Sequence, residues 1–558
     1  MRTLLTLLLC LLPLISAAQW PTTVEEHLLV SLPYDPLTPG TAGIANYSFS
    51  YPDNYTLVIY WNGLGPQFQV IDPDGYLVHD IPQYLCPGDS IHGSSTHSKS
   101  KSDGRGGVVH MWKKDFNPSF IRAQRIDSLR NVCWGDSALR IFDFAESSND
   151  FCSDGNGGWF FVSKYEIGID DDIRLQHVSP EGHIMLPDSG LTLYRLEYAG
   201  GHNLKIAPDN AGGFYIVWRE MRPPYTTWSA LFAQHYNAEY QPVWNADGIL
   251  IAPGIFYHQL LPDGENGVIV YGAPNAGDWH HAYRISPEGN LLWELEQLGR
   301  GWQDTKIVPG DPGFFYIGIP YFPTETVYGQ KIDIDGNILW PTSGGTGTGA
   351  YMGSTDIYEL RPPIDFAYRD GNFYAFFLYR RDIAGSPDDS YALYVQSLDQ
   401  DGNRRYGLEG RLISQHVDSN QVEPRMTVAP DGFGGAVAVW DLAREGSYHD
   451  ILAKRVDSNG NLGGPVWAPP PVQPDPEGGT PFLSVSNQTI HYTISIPGEV
   501  TIELYNVLGR QLSSTSFFHQ QAGVFSTSLP TNGLASGIYF LRLSTPLGEA
   551  VKKVVVVR

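Results

Sequence analysis

A turn rich in aspartate and glycine, followed by a run of consecutive apolar residues, recurs along this chain. The copy at residues 429–442 is APDGFGGAVAVWDL, and a second motif such as AKRVDSNGN follows each copy. The two motifs remain in step at a period of about 50 to 60 residues, which is typical of solenoids, propellers and other repeat arrays. The eight aligned segments are YPDNYTLVIYW, SDGRGGVVHMW, SDGNGGWFFVS, APDNAGGFYIVW, LPDGENGVIVYG, VPGDPGFFYIGI, YRDGNFYAFFLY and APDGFGGAVAVW.

Each repeat predicts four β-strands: one before the Asp-Gly turn, one after it, one in the second motif and one after the next turn. The second strand is apolar at consecutive positions, as in FYIVW (214–218), so both of its faces must be buried. Stacked small sheets achieve this burial, whereas a core helix is disfavoured because the runs are short and bounded by turn residues. We predict an all-β fold that resembles bacterial β-propellers, eight-bladed, or seven-bladed if the degenerate first repeat forms no full sheet.

The phase of the repeats indicates how the propeller closes. The tripeptide WPT at residues 20–22 matches WPT at 340–342, which lies late in a repeat, whereas the last repeat stops early, at Trp467. We therefore expect residues 28–31 to complete the sheet begun by residues 450–467. Such an overlap hides edge strands that would otherwise invite aggregation.

A glutamine occupies the second position of the second motif in six repeats. A repeated polar side chain could line a pore, but a buried amide needs partners, which favours hydrogen bonds to neighbouring backbone groups. The other two repeats have Tyr283 and Lys454 there. The six glutamines are Gln69, Gln124, Gln176, Gln234, Gln330 and Gln396.

The N-terminal segment MRTLLTLLLCLLPLISAAQW combines Arg2, a short apolar run and small residues before Gln19. This pattern predicts a secretory signal peptide over residues 1–18. No later apolar run approaches the roughly twenty residues of a spanning helix, so no transmembrane segment is predicted. The net charge of −24 would repel a phosphate backbone, so nucleic acid is not an expected partner.

Three cysteines remain after removal of the signal peptide: Cys86, Cys133 and Cys152. At most one internal disulfide can form among them. Cys133 and Cys152 lie on neighbouring repeats and are the favoured pair. The open alternative is that all three are buried thiols that pack as small hydrophobes.

The segment APPPVQPDPEGGT, at residues 468–480, predicts an extended proline-rich linker. Beyond it, apolar and polar residues alternate, as in VTIELYNVLGRQL, which predicts a small immunoglobulin-like antiparallel β-sandwich. The segments TIHYTISIPGEVTIELYNVLGRQL, LASGIYFLRL and KKVVVVR resemble, in order, the type A C-terminal sorting domain of the type IX secretion system. One departure is GGTPFLSVSN at its entry, where the family usually has Pro-Asn-Pro.

The resemblance implies Sec-dependent export to the periplasm and then recognition of the tail by the type IX secretion machinery. It further implies delivery to the outer-membrane surface or the extracellular space. The chain is thus divided into a signal peptide (1–18), a propeller (19–467), a linker (468–480) and a C-terminal sorting domain (481–558).

Connections after the second strand vary in length and content, whereas the Asp-Gly turns on the opposite face are repetitive. Binding specificity is usually built where loops vary on one face of a rigid scaffold. The candidates there, as stacking platforms and charge partners for a glycan or a protein surface, are Arg222, Tyr225, Trp228, Trp279, His280, His281, Arg380 and Arg381.

The sequence contains no Gly-x-Ser-x-Gly, His-Glu-x-x-His, phosphate-binding loop or Cys-x-x-Cys motif. No catalytic residue, metal site or cofactor is therefore predicted. The favoured hypothesis is a secreted or cell-surface module that binds carbohydrate or protein. The alternative is an extracellular polysaccharide hydrolase or lyase with its active site on the variable-loop face, since propellers host both classes.

Overall fold

The chain divides into two compact units, Met1–Val466 and Trp467–Arg558. A computed structural model describes residues 20–31, 44–61, 65–87, 98–103, 105–114, 119–144, 148–167, 170–196, 200–225, 229–274, 278–300, 305–321, 326–340, 349–354, 359–381, 389–418, 425–443, 449–463, 483–486, 489–494, 498–506, 510–519, 523–530, 534, 537–546 and 548–556. Every regular element in these ranges is a β-strand. They include no helix of the length and apolarity that a bilayer crossing requires. The all-β prediction is confirmed, whereas the predicted signal peptide lies outside the described residues.

The first unit contains eight antiparallel four-stranded sheets, one for each repeat, including the degenerate first one. Sheets 1 to 4 are β2 (Ile44–Ser50), β3 (Thr56–Trp61), β4 (Pro66–Ile71) and β5 (Gln83–Tyr84); β6 (Lys99–Ser102), β7 (Val108–Lys114), β8 (Phe120–Ile126) and β9 (Leu139–Phe142); β10 (Asn149–Ser153), β11 (Trp159–Ile167), β12 (Asp170–Val178) and β13 (Leu191–Leu196); β14 (Gly200–Pro208), β15 (Phe214–Glu220), β16 (Ala230–Tyr236) and β17 (Ile249–Pro253).

Sheets 5 to 8 continue the same order along the chain. They are β18 (Tyr257–Pro262), β19 (Val268–Ala273), β20 (His281–Ile285) and β21 (Leu291–Leu295); β22 (Lys306–Pro309), β23 (Phe314–Tyr321), β24 (Thr326–Asp333) and β25 (Ala350–Ser354); β26 (Glu359–Arg369), β27 (Asn372–Arg381), β28 (Asp389–Leu398) and β29 (Arg411–Asp418); β30 (Met426–Pro430), β31 (Ala436–Ala443) and β32 (His449–Val456), with β1 (Leu28–Leu29) as the fourth strand of sheet 8.

The first strands of successive sheets contact one another around a central axis. β30 contacts both β26 and β2, so the series closes on itself. Side chains on these strands join neighbouring sheets: the Ser48 and Thr427 hydroxyls lie 3.1 Å apart, and the Gln259 amide oxygen accepts a hydrogen bond from the Ile307 backbone N–H at 3.1 Å. This arrangement is the predicted β-propeller.

The second strands are buried on both faces, as their apolar runs predict. On β15, Phe214, Ile216 and Trp218 pack into a cluster shared with sheet 3. The alternate residues Tyr215 and Val217 pack into another cluster shared with sheet 5. Each fully buried side chain of this size contributes about 1.5–3 kcal/mol, so stacking between sheets stabilises the ring.

The predicted closure of the ring is confirmed. β1 pairs with β32, with Leu28 opposite Ala453 and Leu29 opposite Leu452. Lys454, which replaces the repeated glutamine in sheet 8, donates hydrogen bonds to the backbone carbonyls of Thr23 (2.6 Å) and Val24 (3.1 Å). The substitution therefore occurs where the N-terminal segment supplies the outer strand.

The six glutamines bind backbone groups, as predicted for buried amides, and each is fully buried. The Gln124 amide donates to the carbonyls of Leu85 (3.1 Å) and Gly135 (2.8 Å), and its oxygen accepts from the N–H groups of Arg125 and Trp134. The glutamine thus holds the turn between the third and fourth strands against the third strand.

An aspartate anchors five of the hairpins between first and second strands. Asp431 Oδ1 accepts hydrogen bonds from the backbone N–H groups of Phe433 and Gly435, and its other oxygen lies 2.7 Å from the Arg455 guanidinium. A Cβ at Gly435 would lie 2.2 Å from the Val456 carbonyl oxygen, so only glycine fits. The five pairs are Asp103–Arg125, Asp154–His177, Asp209–His235, Asp263–Arg284 and Asp431–Arg455.

The favoured Cys133–Cys152 disulfide is not formed, because Cys133 and Cys152 are both free thiols. Successive residues of a strand point to opposite faces of its sheet. On β10, Phe151 faces the cluster against which Cys133 packs, whereas Cys152 belongs to the cluster shared with sheet 4. The two sulfurs therefore lie on opposite faces of sheet 3.

The second unit is built from two antiparallel sheets around one hydrophobic core. β35 and β38 form the centre of the larger sheet, and their residues Ile502, Leu504, Leu541 and Leu543 are buried in that core. The strands are β33 (Leu483–Ser486), β34 (Thr489–Ile494) and β37 (Gly523–Ser528) in one sheet, and β36 (Gln511–His519), β35 (Gly498–Asn506), β38 (Gly537–Thr545) and β39 (Gly548–Val556) in the other.

Candidate binding site

The two ends of each propeller sheet differ in their connections. We call the end with the first-to-second hairpins the hairpin end, and the end with the connections after the second strand the loop end. In an antiparallel sheet, the start of the first strand and the end of the second both lie at the loop end. We therefore expect similar hairpin geometry from repeat to repeat at the hairpin end, and loops of different length and sequence at the loop end.

A cavity of about 360 Å³ lies at the loop end of sheet 5. Tyr257 begins β18, Gly272 is next to last on β19, and His280 directly precedes β20. Neighbouring sheets complete the walls, with Asn203 and Lys205 from β14 of sheet 4 and Thr305 just before β22 of sheet 6. The lining residues are Asn203, Lys205, Tyr257, His258, Gln259, Tyr271, Gly272, His280 and Thr305.

Buried polar groups line this cavity, which we call the loop-end cavity. Tyr271 is 1% exposed, and its hydroxyl has no hydrogen-bond partner among the described residues. His258 is 4% exposed, and the backbone of Asn203 and Val217 lies within hydrogen-bonding reach of its ring. Burying an unsatisfied polar group costs about 1–3 kcal/mol, so the Tyr271 hydroxyl calls for a partner that a ligand could provide.

Burial determines the protonation of these groups. It lowers the pKa of His258 to about 3, and the positive charges of Lys205 and Arg219 act in the same direction. Burial also raises the pKa of Tyr271 well above its ordinary value. At neutral pH the cavity therefore presents a neutral imidazole and a protonated phenol.

Backbone and side-chain contacts fix the walls. His280 exchanges backbone hydrogen bonds with Leu298 and Gly299, and its ring stacks on Tyr271 with centroids 5.1 Å apart. A Cβ at Gly272 would lie 2.5 Å from the Tyr257 carbonyl oxygen, so the close approach of β18 and β19 requires glycine. These side chains are therefore positioned before any ligand binds.

A second cavity, of about 500 Å³, lies among β2, β22, β26 and β30 near the axis. Its central carboxylate, Asp365, is fully engaged: Lys306 lies 2.7 Å away, and the Thr427 hydroxyl and the Val428 N–H each donate at 2.9 Å. These contacts hold three sheets together. The polar groups of this cavity are therefore explained by the fold alone.

The structure places Arg222 and Tyr225 in the connection that follows β15 of sheet 4. The Arg222 guanidinium contacts the buried Glu220 carboxylate at 2.5 Å and donates to the Tyr194 hydroxyl at 2.8 Å. Tyr225 packs partly buried against the cluster shared by sheets 3 and 4. Arg222 thus compensates a buried charge of its own sheet.

The adjacent residues His280 and His281 face opposite sides of sheet 5. His280 lines the loop-end cavity, whereas His281 lies with Glu294 and Glu296, and their ligand atoms are within 4.8 Å of one another. Those three groups could hold a cation, although both carboxylates are exposed. Trp279 is covered by the Arg300 guanidinium, 4.9 Å from its ring centroid.

The side chains of the remaining candidates lie outside the described part of the structure. Trp228 lies outside the described residues. Arg380 and Arg381 occupy the end of β27, opposite Tyr391 and Ser390.

Sequence reasoning missed Lys205, His258 and Tyr271, because it searched the variable loops and these residues lie on strands. A signal existed: Tyr257-His258-Gln259 places polar side chains at the start of a first strand.

Three solved structures are similar to the propeller at low identity. The polysaccharide lyase Uly1 matches at 10% identity and a TM-score of 0.38, over 69% of this chain and 95% of the lyase. Prolyl oligopeptidase B from Galerina marginata matches at 10% identity and 0.39, over 72% and 55%. The β-propeller domain of the Trilobed protease from Pyrococcus furiosus matches at 11% identity and 0.27, over 60% and 88%.

No curated protein sequence matches this chain. The model of one family does match, at residues 486–557, and that family is described as a secretion system C-terminal sorting domain. The match covers the second unit and confirms the predicted resemblance. Residues 486–557 are therefore a type IX secretion C-terminal sorting domain, which implies interaction with the secretion machinery and export of the protein to the cell surface or the extracellular space.

Proposed function

We propose that this exported propeller is a carbohydrate-binding module and that a sugar residue enters the loop-end cavity. One observation carries the proposal: the Tyr271 hydroxyl is buried there without a hydrogen-bond partner among the described residues. Sugar hydroxyls both donate and accept hydrogen bonds, so they suit a phenol donor beside a neutral imidazole. A ligand that accepts from the Tyr271 hydroxyl would recover the free energy lost by burying it.

The shape and lining of the cavity favour a glycan over a protein surface. A volume of about 360 Å³ falls within the usual range for small-molecule sites, which are concave and carry a few placed polar groups. Tyr257, Tyr271 and His280 contribute rings to the lining. Aromatic faces with polar edges can contact both the apolar and the hydroxylated sides of a sugar.

Of the two enzymatic alternatives, a lyase is favoured over a hydrolase. Glycoside hydrolysis usually needs two carboxylates, and none of the described residues that line the loop-end cavity is Asp or Glu. A lyase needs a proton-transfer group and a cation beside the sugar carboxylate. Tyr271, His280 and Lys205 provide these chemical types in one cavity.

A glycan array probed with the full chain, before and after Tyr271→Phe, tests the proposal. The substitution removes one donor and should weaken binding by about threefold to tenfold. Tyr60→Phe is the matched control, because Tyr60 on β3 is also buried and its hydroxyl lacks a partner, but it lies outside the cavity. Binding that Tyr271→Phe leaves unchanged would place the site elsewhere.

Turnover is measured on the same glycans by ultraviolet absorbance of unsaturated products. Saturable binding without product supports the module, whereas product that disappears with Tyr271→Phe supports the lyase.

A further inference from the structure

Three lysines from two sheets converge beside the loop-end cavity. Lys99 and Lys101 lie on β6, and Lys205 lies on β14. Asp150 on β10 is the carboxylate among them, with its Oδ1 3.0 Å from Lys101 Nζ and 3.9 Å from Lys99 Nζ. The cluster therefore places three lysine side chains around one described carboxylate, which forms ion pairs with two of them.

Asp150, the described carboxylate of this lysine cluster, already has partners within the protein. Burial alone would raise the pKa of Asp150, but the charges of Lys101, Lys99 and Lys205 outweigh burial and lower the pKa to about 2. The other oxygen of Asp150 accepts a hydrogen bond from the Ile206 N–H at 3.2 Å. Asp150 is thus ionised at neutral pH and balances only one of the three lysines.

The excess positive charge also shifts the pKa values of the lysines. Burial lowers the pKa of Lys205, Asp150 opposes this effect, and Lys101 lowers the pKa further. Burial lowers the pKa of Lys99 to about 7, again with help from the neighbouring lysines. An added anion would offset both the desolvation cost of the buried ammonium groups and the repulsion between like charges.

Lys205 connects this cluster to the cavity. It lines the cavity with Tyr271, and its ammonium forms no ion pair with a carboxylate in the described part of the chain. The described lining holds no carboxylate that would repel an anion. A cation and a phenol donor in the lining of one cavity match the acceptor oxygens of an oxyanion.

We propose that the loop-end cavity binds the anionic group of an acidic glycan, a carboxylate or a sulfate ester, with Lys205 as its cation and Tyr271 as its donor. This inference rests on the proposed carbohydrate-binding function and specifies the class of ligand. The whole chain carries 60 acidic and 36 basic residues, so an acidic polymer is attracted only at local sites such as this one.

The test uses the full chain and three probes in affinity electrophoresis and calorimetry: polygalacturonate for carboxylates, dextran sulfate for sulfate esters, and dextran as the neutral polymer. Lys205→Gln should weaken binding of the acidic probe by about tenfold or more, because it removes a charged hydrogen-bond donor. Lys205→Arg should retain binding, and Lys331→Gln on β24 controls for the change in net charge. Thermal unfolding of each variant verifies that it folds.

The outcomes separate the two proposals. Binding of one acidic probe that Lys205→Gln weakens and Lys331→Gln does not supports the inference, and the preferred probe identifies the carboxylate or the sulfate. Equal binding of dextran that Tyr271→Phe weakens and Lys205→Gln leaves intact keeps the carbohydrate-binding function but overturns the anionic class. Absence of binding to all three probes and to the glycan array overturns both.

Discussion

Buried polar groups at the hairpin end and at the loop end of the propeller sheets differ in their hydrogen bonding. At the hairpin end, the buried Asp209 accepts hydrogen bonds from two backbone N–H groups and from His235. At the loop end, the Tyr271 hydroxyl is equally buried but has no hydrogen-bond partner in the described part of the chain. Interactions that recur in several repeats therefore maintain the fold. Unpaired buried groups occur in other sheets too, as at Tyr60, so they point to a ligand only where they line a cavity, as Tyr271 does.

The largest expected effect breaks a repeated interaction at the hairpin end. Arg455→Met leaves the carboxylate of Asp431 buried without its cation, and both residues are 3% exposed. Removal of one partner of a buried pair costs about 3–5 kcal/mol. Chemical denaturation measures the loss in free energy of unfolding.

Arg195→Met is the control for that variant. The Arg195 side chain is 68% exposed and lies 3.5 Å from Asp172, so the expected change is at most about 1 kcal/mol. Similar losses for the two arginines would mean that the hairpin-end pair is not specially stabilising.

Lowering the pH should reduce the stability of the fold in two stages, the first from the loop end and the second from the hairpin end. The folded pKa of His258 is about 3, below the value of about 6.5 for unfolded histidine. Between these values the unfolded state binds more protons, so stability falls as the pH decreases from about 6.5. Burial lowers the pKa of His110 to about 3 as well, and this residue adds to the same stage.

The hairpin end responds at lower pH. Burial alone would raise the pKa of Asp209, but the hydrogen bonds from His235, Ala211 and Gly213 outweigh burial and lower it. The stability from this aspartate is present above about pH 4 and is lost as the pH falls through the folded pKa. Melting temperatures from pH 8 to pH 3 measure both stages. His258→Gln should reduce only the first stage, of which the contribution of His110 remains.

The smallest expected effect on the free energy of unfolding comes from removing one tyrosine hydroxyl at each end. The Tyr215 hydroxyl donates to the Asn266 carbonyl at 2.5 Å at the hairpin end, whereas the Tyr271 hydroxyl has no partner. Tyr215→Phe should cost about 1 kcal/mol in free energy of unfolding. Tyr271→Phe should not lower it and should raise it by about 1 kcal/mol, because the variant removes a buried hydroxyl that has no hydrogen-bond partner among the described residues. Equal losses would show that Tyr271 has a structural partner.

The repeats made much of the fold predictable. Consecutive apolar residues at 214–218 required burial on both faces, and the matching WPT segments indicated that the N-terminus joins the last sheet. The glutamine amides could also be assigned to backbone groups, because a buried amide in a strand has few other options. Each of these inferences depends on local pattern and on the repeat period.

The cavity could not be predicted in the same way. Lys205, His258 and Thr305 belong to three sheets, and only the angular arrangement of those sheets around the axis brings them together. The disulfide prediction failed for a related reason. Proximity of repeats in sequence does not specify which face of β10 carries the Cys152 sulfur.

The pairing of β1 with β32 has a consequence for proteolytic maturation. Trp20 packs among side chains of sheets 1 and 8, and its indole N–H donates to the Pro73 carbonyl at 3.0 Å. A protease that trimmed the exported chain beyond Trp20 would expose the contact between the N-terminal segment and the last sheet of the propeller. Loss of Trp20 would therefore leave an apolar gap between sheets 1 and 8.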